Sequence, residues 1–97
     1  MDVLYKSLLV QKEDVATLHF PKEDVLFLKD DKQKRQKRLQ DAITLGNIEH
    51  EKVKIVFQDI EGLKRVETTI WAVTDAAIVL KKGVIIPITR IVSIELL

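Results

Sequence analysis

The stretch Val66-Glu-Thr-Thr-Ile-Trp-Ala-Val-Thr-Asp-Ala-Ala-Ile-Val-Leu80, followed by Gly83-Val-Ile-Ile-Pro-Ile88, decides how this chain is read. From Arg65 to Val73 the residues alternate with period 2, the signature of a strand with two unlike faces. Val66, Thr68, Ile70 and Ala72 fall on one face; Glu67, Thr69, Trp71 and Val73 fall on the other. A run of this length exceeds the usual strand of about 5–6 residues, so it is expected to bend and serve two halves of a curled sheet. Thr74-Asp-Ala76 breaks the run, Ile78-Val-Leu80 is a short strand, and Lys82-Gly83 is a hairpin-type turn. Pro87 has no N–H to give a ladder, which places it at an edge, a bulge or a strand end.

Working outward, Val53, Ile55 and Phe57 alternate with Lys54, Val56 and Gln58, and Asp59-Ile-Glu-Gly62 supplies a turn. A carboxylate opens that turn, and its glycine can take positive φ. Ile91 to Leu97 closes the chain. Five strands at short intervals with no helical segment between them imply an antiparallel meander. So short a meander avoids raw edges best by curling into a small five-stranded barrel over residues 52–97. The expected core is Val53, Ile55, Phe57, Val66, Ile70, Ile78, Leu80, Ile86, Ile91 and Ile94.

Upstream, residues 31–46 read as a helix. Asp30 or Asp31 caps its start, helix formers fill its body, and Gly46-Asn47 stops it. Residues 1–30 form an N-terminal extension. Asp2 to Val10 suits a short helix or a strand equally. Val15 to Leu28 suits a β-hairpin turning at Pro21-Lys-Glu-Asp24, or a helix that starts at Pro21. Its Leu, Val and Phe demand a surface to bury against.

A helix ending near Leu45-Gly46, a strand Val53–Asp59, an acidic-Gly turn, a long bent strand, Asp75 and then Ile78-Val-Leu80 together resemble the Sm-like fold. That family includes the bacterial Sm-type RNA chaperone. The resemblance covers residues 31–97 and implies a small SH3-like barrel that binds RNA. The chain departs from the family's RNA pocket. Val79 stands where the uridine-binding Asn is found, Ile86-Pro87-Ile88 stands where Arg-Gly would follow the fourth strand, and the chaperone's Lys-His pair is missing. A weaker likeness to bacterial pleckstrin-like and GRAM-type modules runs through Val73-Thr-Asp75, Gly83, Ile86-Pro87-Ile88 and Ile91. Those domains carry more strands and a terminal helix.

The 97 residues suffice for one domain with one modest core, and 46% apolar residues can fill it. Zero cysteines exclude disulfides, thiolate zinc sites and thiol catalysis. No apolar run approaches the ~18 residues of a membrane span, and no basic-then-apolar leader opens the sequence, so a cytoplasmic protein with no membrane contact is expected. Net charge is +1, balanced in both halves, less basic than a dedicated nucleic-acid binder.

The strongest charge feature is Lys32, Lys34, Arg35, Lys37 and Arg38, a candidate set for RNA or DNA phosphates through salt-sensitive attraction. Read structurally, the same run is a solvated helix turn partly offset by Asp30, Asp31 and Asp41. Because no apolar residue lies among the five cations, their removal is expected to leave stability intact. Trp71, the single tryptophan, is a candidate interface anchor or base-stacking platform. Its structural reading, the favoured one, packs it beneath the N-terminal extension. His19 and His50 are isolated, so no metal site is expected. Asp59, Glu61 and Asp75 fit local turn bonding. Ser7 and Ser93 lack the setting of a nucleophile, and the glycines serve turns or a helix stop, so no catalytic residue and no cofactor are expected. Apolar residues on both faces of 84–88 and 91–97 suggest weak self-association through those strands. The expectation is a non-enzymatic Sm-like binding module, with nucleic acid ahead of a protein-interaction or assembly role.

Overall fold

The computed structural model describes residues 7–49 and 52–97; Val3 to Tyr5 and His50 lie outside them, as do the side chains of residues 45–49. The described elements are β1 (Leu8–Leu9), α1 (Lys12–Val15), α2 (Lys29–Glu49), β2 (Val53–Gln58), β3 (Leu63–Thr68), β4 (Ile70–Val73), β5 (Ala77–Leu80), β6 (Ile85–Pro87) and β7 (Ile91–Leu96). The strands form two open sheets, one in the order β1-β3-β2-β7 and one in the order β4-β5-β6.

This overturns the expected five-stranded antiparallel Sm-like or SH3-like barrel. The protein is mixed α/β, and among the described residues no ladder closes the sheets into a barrel. Three features account for the difference. The long run 65–73 breaks at Thr69, so β3 pairs with β2 while β4 pairs with β5 in the other sheet. A 3₁₀ turn over Ile88–Arg90 separates β6 from β7. The extension contributes β1, which pairs parallel to β3 with Leu8 opposite Lys64 and Leu9 opposite Arg65.

The remainder of the extension is neither a hairpin nor a helix from Pro21; residues 16–28 carry no regular element. Part of the extension's apolar surface nevertheless reaches the core, while Phe27 and Leu28 stay exposed. Val15 is buried, Val10, Leu18 and Phe20 pack against the same cluster, and the Phe20 and Phe57 rings lie 5.9 Å apart. Helix α2 begins two residues earlier than expected and runs past Gly46-Asn47 to Glu49. A helical glycine costs only about 1 kcal/mol, which one further turn can absorb. Leu39 and Ala42 carry the buried face of α2, which rests on β4 and β7 and so spans the two sheets.

The core holds Val53, Ile55, Phe57, Val66, Ile70, Ile78, Leu80, Ile86, Ile91 and Ile94, the alternation read from sequence, joined by Val15, Leu39 and Ala42. Ile70 is fully enclosed. Ile70→Ala is therefore expected to cost about 2–5 kcal/mol, the range for a buried truncation that leaves a cavity. Urea denaturation measures it, and an unchanged midpoint would reject this strand register.

The turns behave as their chemistry dictates. Asp59 Oδ1 accepts from the Glu61 and Gly62 N–H groups at 2.9 and 3.0 Å, and Gly62 takes φ 146°. Lys82 and Gly83 both take positive φ, at 68° and 80°, to join β5 to β6. Pro87 ends edge strand β6. Leu80 N donates to Val84 O and Ile88 N to Ala76 O, so Ile86 faces β5 while Ile85 and Pro87 point their backbone outward. The proline thus removes a donor from the free side alone.

Candidate interaction surfaces

The five helix cations do not form one surface. Successive helical residues turn by about 100°. Lys34 and Lys37 therefore share a flank, which Asp30 and Asp41 also occupy, and Lys32 lies roughly 140–160° away from it. Lys32, Lys34 and Lys37 are exposed. Arg35 is buried: its Nη1 and Nη2 donate to Asp24 Oδ1 and Oδ2 at 2.8 and 2.7 Å, and Nη1 also reaches Ile91 O at 3.1 Å. Arg38 approaches Ile94 O at 3.4 Å. Lys34, Arg35 and Arg38 meet only along a crevice of about 160 Å³ between α2 and β7, where Asp31 joins the lining with opposite charge.

Arg35 is a structural residue that composition hid. It lies four and seven positions before Leu39 and Ala42, on the stripe that α2 buries, and that spacing is the signal that identifies it. Its guanidinium holds the Asp24 carboxyl below the ordinary carboxylate range, helped by the Leu26 N–H. Arg90 does comparable work, donating from Nε to Gln58 O at 2.9 Å and from Nη1 to Glu23 O at 2.6 Å. The irregular segment 16–28 is thereby tied to α2, to β7 and to the end of β2.

The second buried pair is Lys64 with Asp59, with exposed Glu61 joining Lys64 at 2.9 Å. Burial alone would push the Asp59 carboxyl up, but the Lys64 ammonium and the two turn N–H groups outweigh it and hold it low. Burial likewise disfavours charged Lys64, and the bonds to Asp59 and Glu61 reverse that, raising its pKa. In both pairs the opposite charges are bonded to each other. Among the described residues no three His, Asp or Glu side chains gather as a metal site, and His19 stands exposed.

Trp71 is not covered by the described part of the extension, whose Val10, Val15, Leu18 and Phe20 go to the core while Leu8, Leu9, Phe27 and Leu28 stay exposed. Trp71 is 54% exposed. A register shift between Ile70 and Ala72 makes Trp71 the unmatched residue of a bulge: Ile70 pairs with Leu80, Ala72 with Val79 and Val73 with Ile78. Ile70 and Val73 turn to the core, so Trp71 and Ala72 both turn outward, which re-phases the alternation expected for this strand. On the same outer face lie Val79, Ile85 and, one row further, Ala77 and Pro87. The polar Thr74, opposite Ala77, borders them at one end, and Ile85 is 55% exposed.

No protein-family model, curated protein or solved structure matches this chain. The surfaces themselves therefore carry the functional argument. Among the described residues no helix is long and apolar enough to cross a membrane.

Proposed function

We propose that this chain is a non-catalytic protein-interaction module, acting in the cytoplasm, which presents the outer face of β4-β5-β6 to a partner protein. The observation that carries the reading is that face itself: Trp71, Ala72, Ala77, Val79, Ile85 and Pro87 form an apolar strip bordered by Thr74, and its two largest residues are more than half exposed. A cluster of this kind around an aromatic anchor marks a binding surface rather than scattered surface residues. Nucleic acid takes second place. Arg35 is committed to Asp24, and Lys34 and Lys37 share their flank of α2 with Asp30 and Asp41.

A photo-reactive aromatic residue at position 71, irradiated in cell extract, tests the reading. Protein adducts are expected at position 71 well above those formed from the exposed control position Gln40. Adducts to nucleic acid, or none above the control, would reject it. Binding of single-stranded RNA at low salt with a slope worth more than about three phosphate contacts would also restore the nucleic-acid reading.

A further inference from the structure

The occupant of the Trp71 face can be specified further, an inference that rests on the protein-binding reading above. Strand addition is the first alternative to weigh, because β6 is an edge. It lacks what strand addition needs: on the outward side of β6 the only donor is the Ile85 N–H, since Pro87 has none. The corresponding side of β7 is also occupied, with Ile91 O and Ile94 O met by Arg35 and Arg38. Association must therefore use the side chains of the sheet face.

The dimensions of that face select among partners. Three strands ~4.8 Å apart present a strip about 10 Å wide. A stable dimer needs about 800 Å² from each partner, far more than the strip offers to a second flat copy. One α-helix, about 10–12 Å across, matches its width. Strand β5 has 4 residues, about 13 Å of strip, which a helix spans in about nine residues.

Charge then orients the helix. At the β5–β6 end lie Lys81 and Lys82, both exposed, with Lys12 and Lys52 nearby and, among the described residues, Glu13 and Glu67 to oppose them. Glu13 is already engaged by Lys12. At the β4–β5 end Asp75 and Lys22, of opposite charge, line one crevice. One end of the strip is thus positive and the other close to neutral. The C-terminal end of a helix carries partial negative charge, and acidic side chains there would add to it.

We propose that the partner segment is an amphipathic helix lying along β5. Its apolar stripe rests on Trp71, Val79 and Ile85, and its acidic C-terminal turn sits at Lys81 and Lys82.

Two hydrocarbon-stapled helical peptides of one composition, lacking tryptophan and tyrosine, test this on the whole chain. One carries its acidic residues in the last turn and the other in the first; stapling equalises their helicity. The first is expected to shift Trp71 emission to the blue and to bind about two- to fivefold tighter than the second, the size of a helix-end charge effect. Lys81→Gln with Lys82→Gln should remove that difference. Equal affinities for the intact protein would overturn the orientation. If an extended peptide of the same composition shifts Trp71 while both helices fail, the helix is wrong and the protein-binding face survives. If no peptide binds and position 71 also yields no protein adduct, both inferences fall together.

Discussion

Arg35→Met is expected to lower the unfolding free energy by about 3–5 kcal/mol, the cost of stranding one partner of a buried, hydrogen-bonded ion pair. Asp24 would keep the Leu26 N–H and lose both guanidinium bonds, and Ile91 O would lose its donor. A domain of this size has roughly 5–15 kcal/mol in total, so the midpoint of thermal unfolding should fall by at least about 12 °C. Adding Asp24→Leu should recover most of the loss, because an apolar pair of similar size removes the stranded charge. Lys34→Gln and Lys37→Gln serve as controls and should stay within about 0.5 kcal/mol. If Arg35→Met behaves like the controls, Arg35 belongs with the solvent-facing cations after all. The expected result corrects the view that all five cations can be removed without a structural penalty.

Lys64→Met should cost about 3 kcal/mol at neutral pH, the low end for a stranded buried charge, since Asp59 Oδ1 keeps its two turn N–H groups. The pH dependence identifies the cause. Asp59 has a folded pKa below its ordinary 3.8, so its stabilisation is complete above 3.8 and lost as pH falls through the folded value. Lys64 has a folded pKa above its ordinary 10.5, so its share is complete below 10.5 and lost as pH rises through the folded value. The gap between parent and Lys64→Met should therefore be widest in the window between, and narrow at both ends. Urea midpoints taken across that range measure it. A gap that stays constant with pH would mean that Lys64 acts through the packing of its methylenes instead.

The parts of the fold legible in the sequence are those set by neighbours along the chain. Alternation in Val53–Phe57 placed the core residues, and Asp59 with Gly62 announced their turn, because side-chain period and turn chemistry are local. The barrel failed on features with no local mark. Nothing in Thr69 distinguishes a bend from a break, and the bulge that turns Trp71 outward depends on how β5 registers against β4. The segment 16–28 takes its path from Arg35 and Arg90, far off in sequence, so its own propensities had no vote. The candidate site follows the same division. Trp71 was visible as the one large aromatic on a strand, but its exposure was not, since that depended on where Phe20 and Val15 were buried.

The ties around Arg35 and Arg90 also bear on the order in which the chain acquires its shape. Arg35 bonds to a carbonyl 56 positions later and Arg90 to one 67 positions earlier. At about 5–20 residues per second of synthesis, the segment before α2 is out of the ribosome for several seconds before those partners exist. During that interval its Leu18 and Phe20 have no finished core to enter, and the closures that settle them span most of the chain. Long closures of this kind are slow to form. The segment 16–28 thus waits for Arg90 and β7 before its ties are complete. A truncation that removes Arg90 together with β7 would leave that segment held through Arg35 and Asp24, with the sheet incomplete.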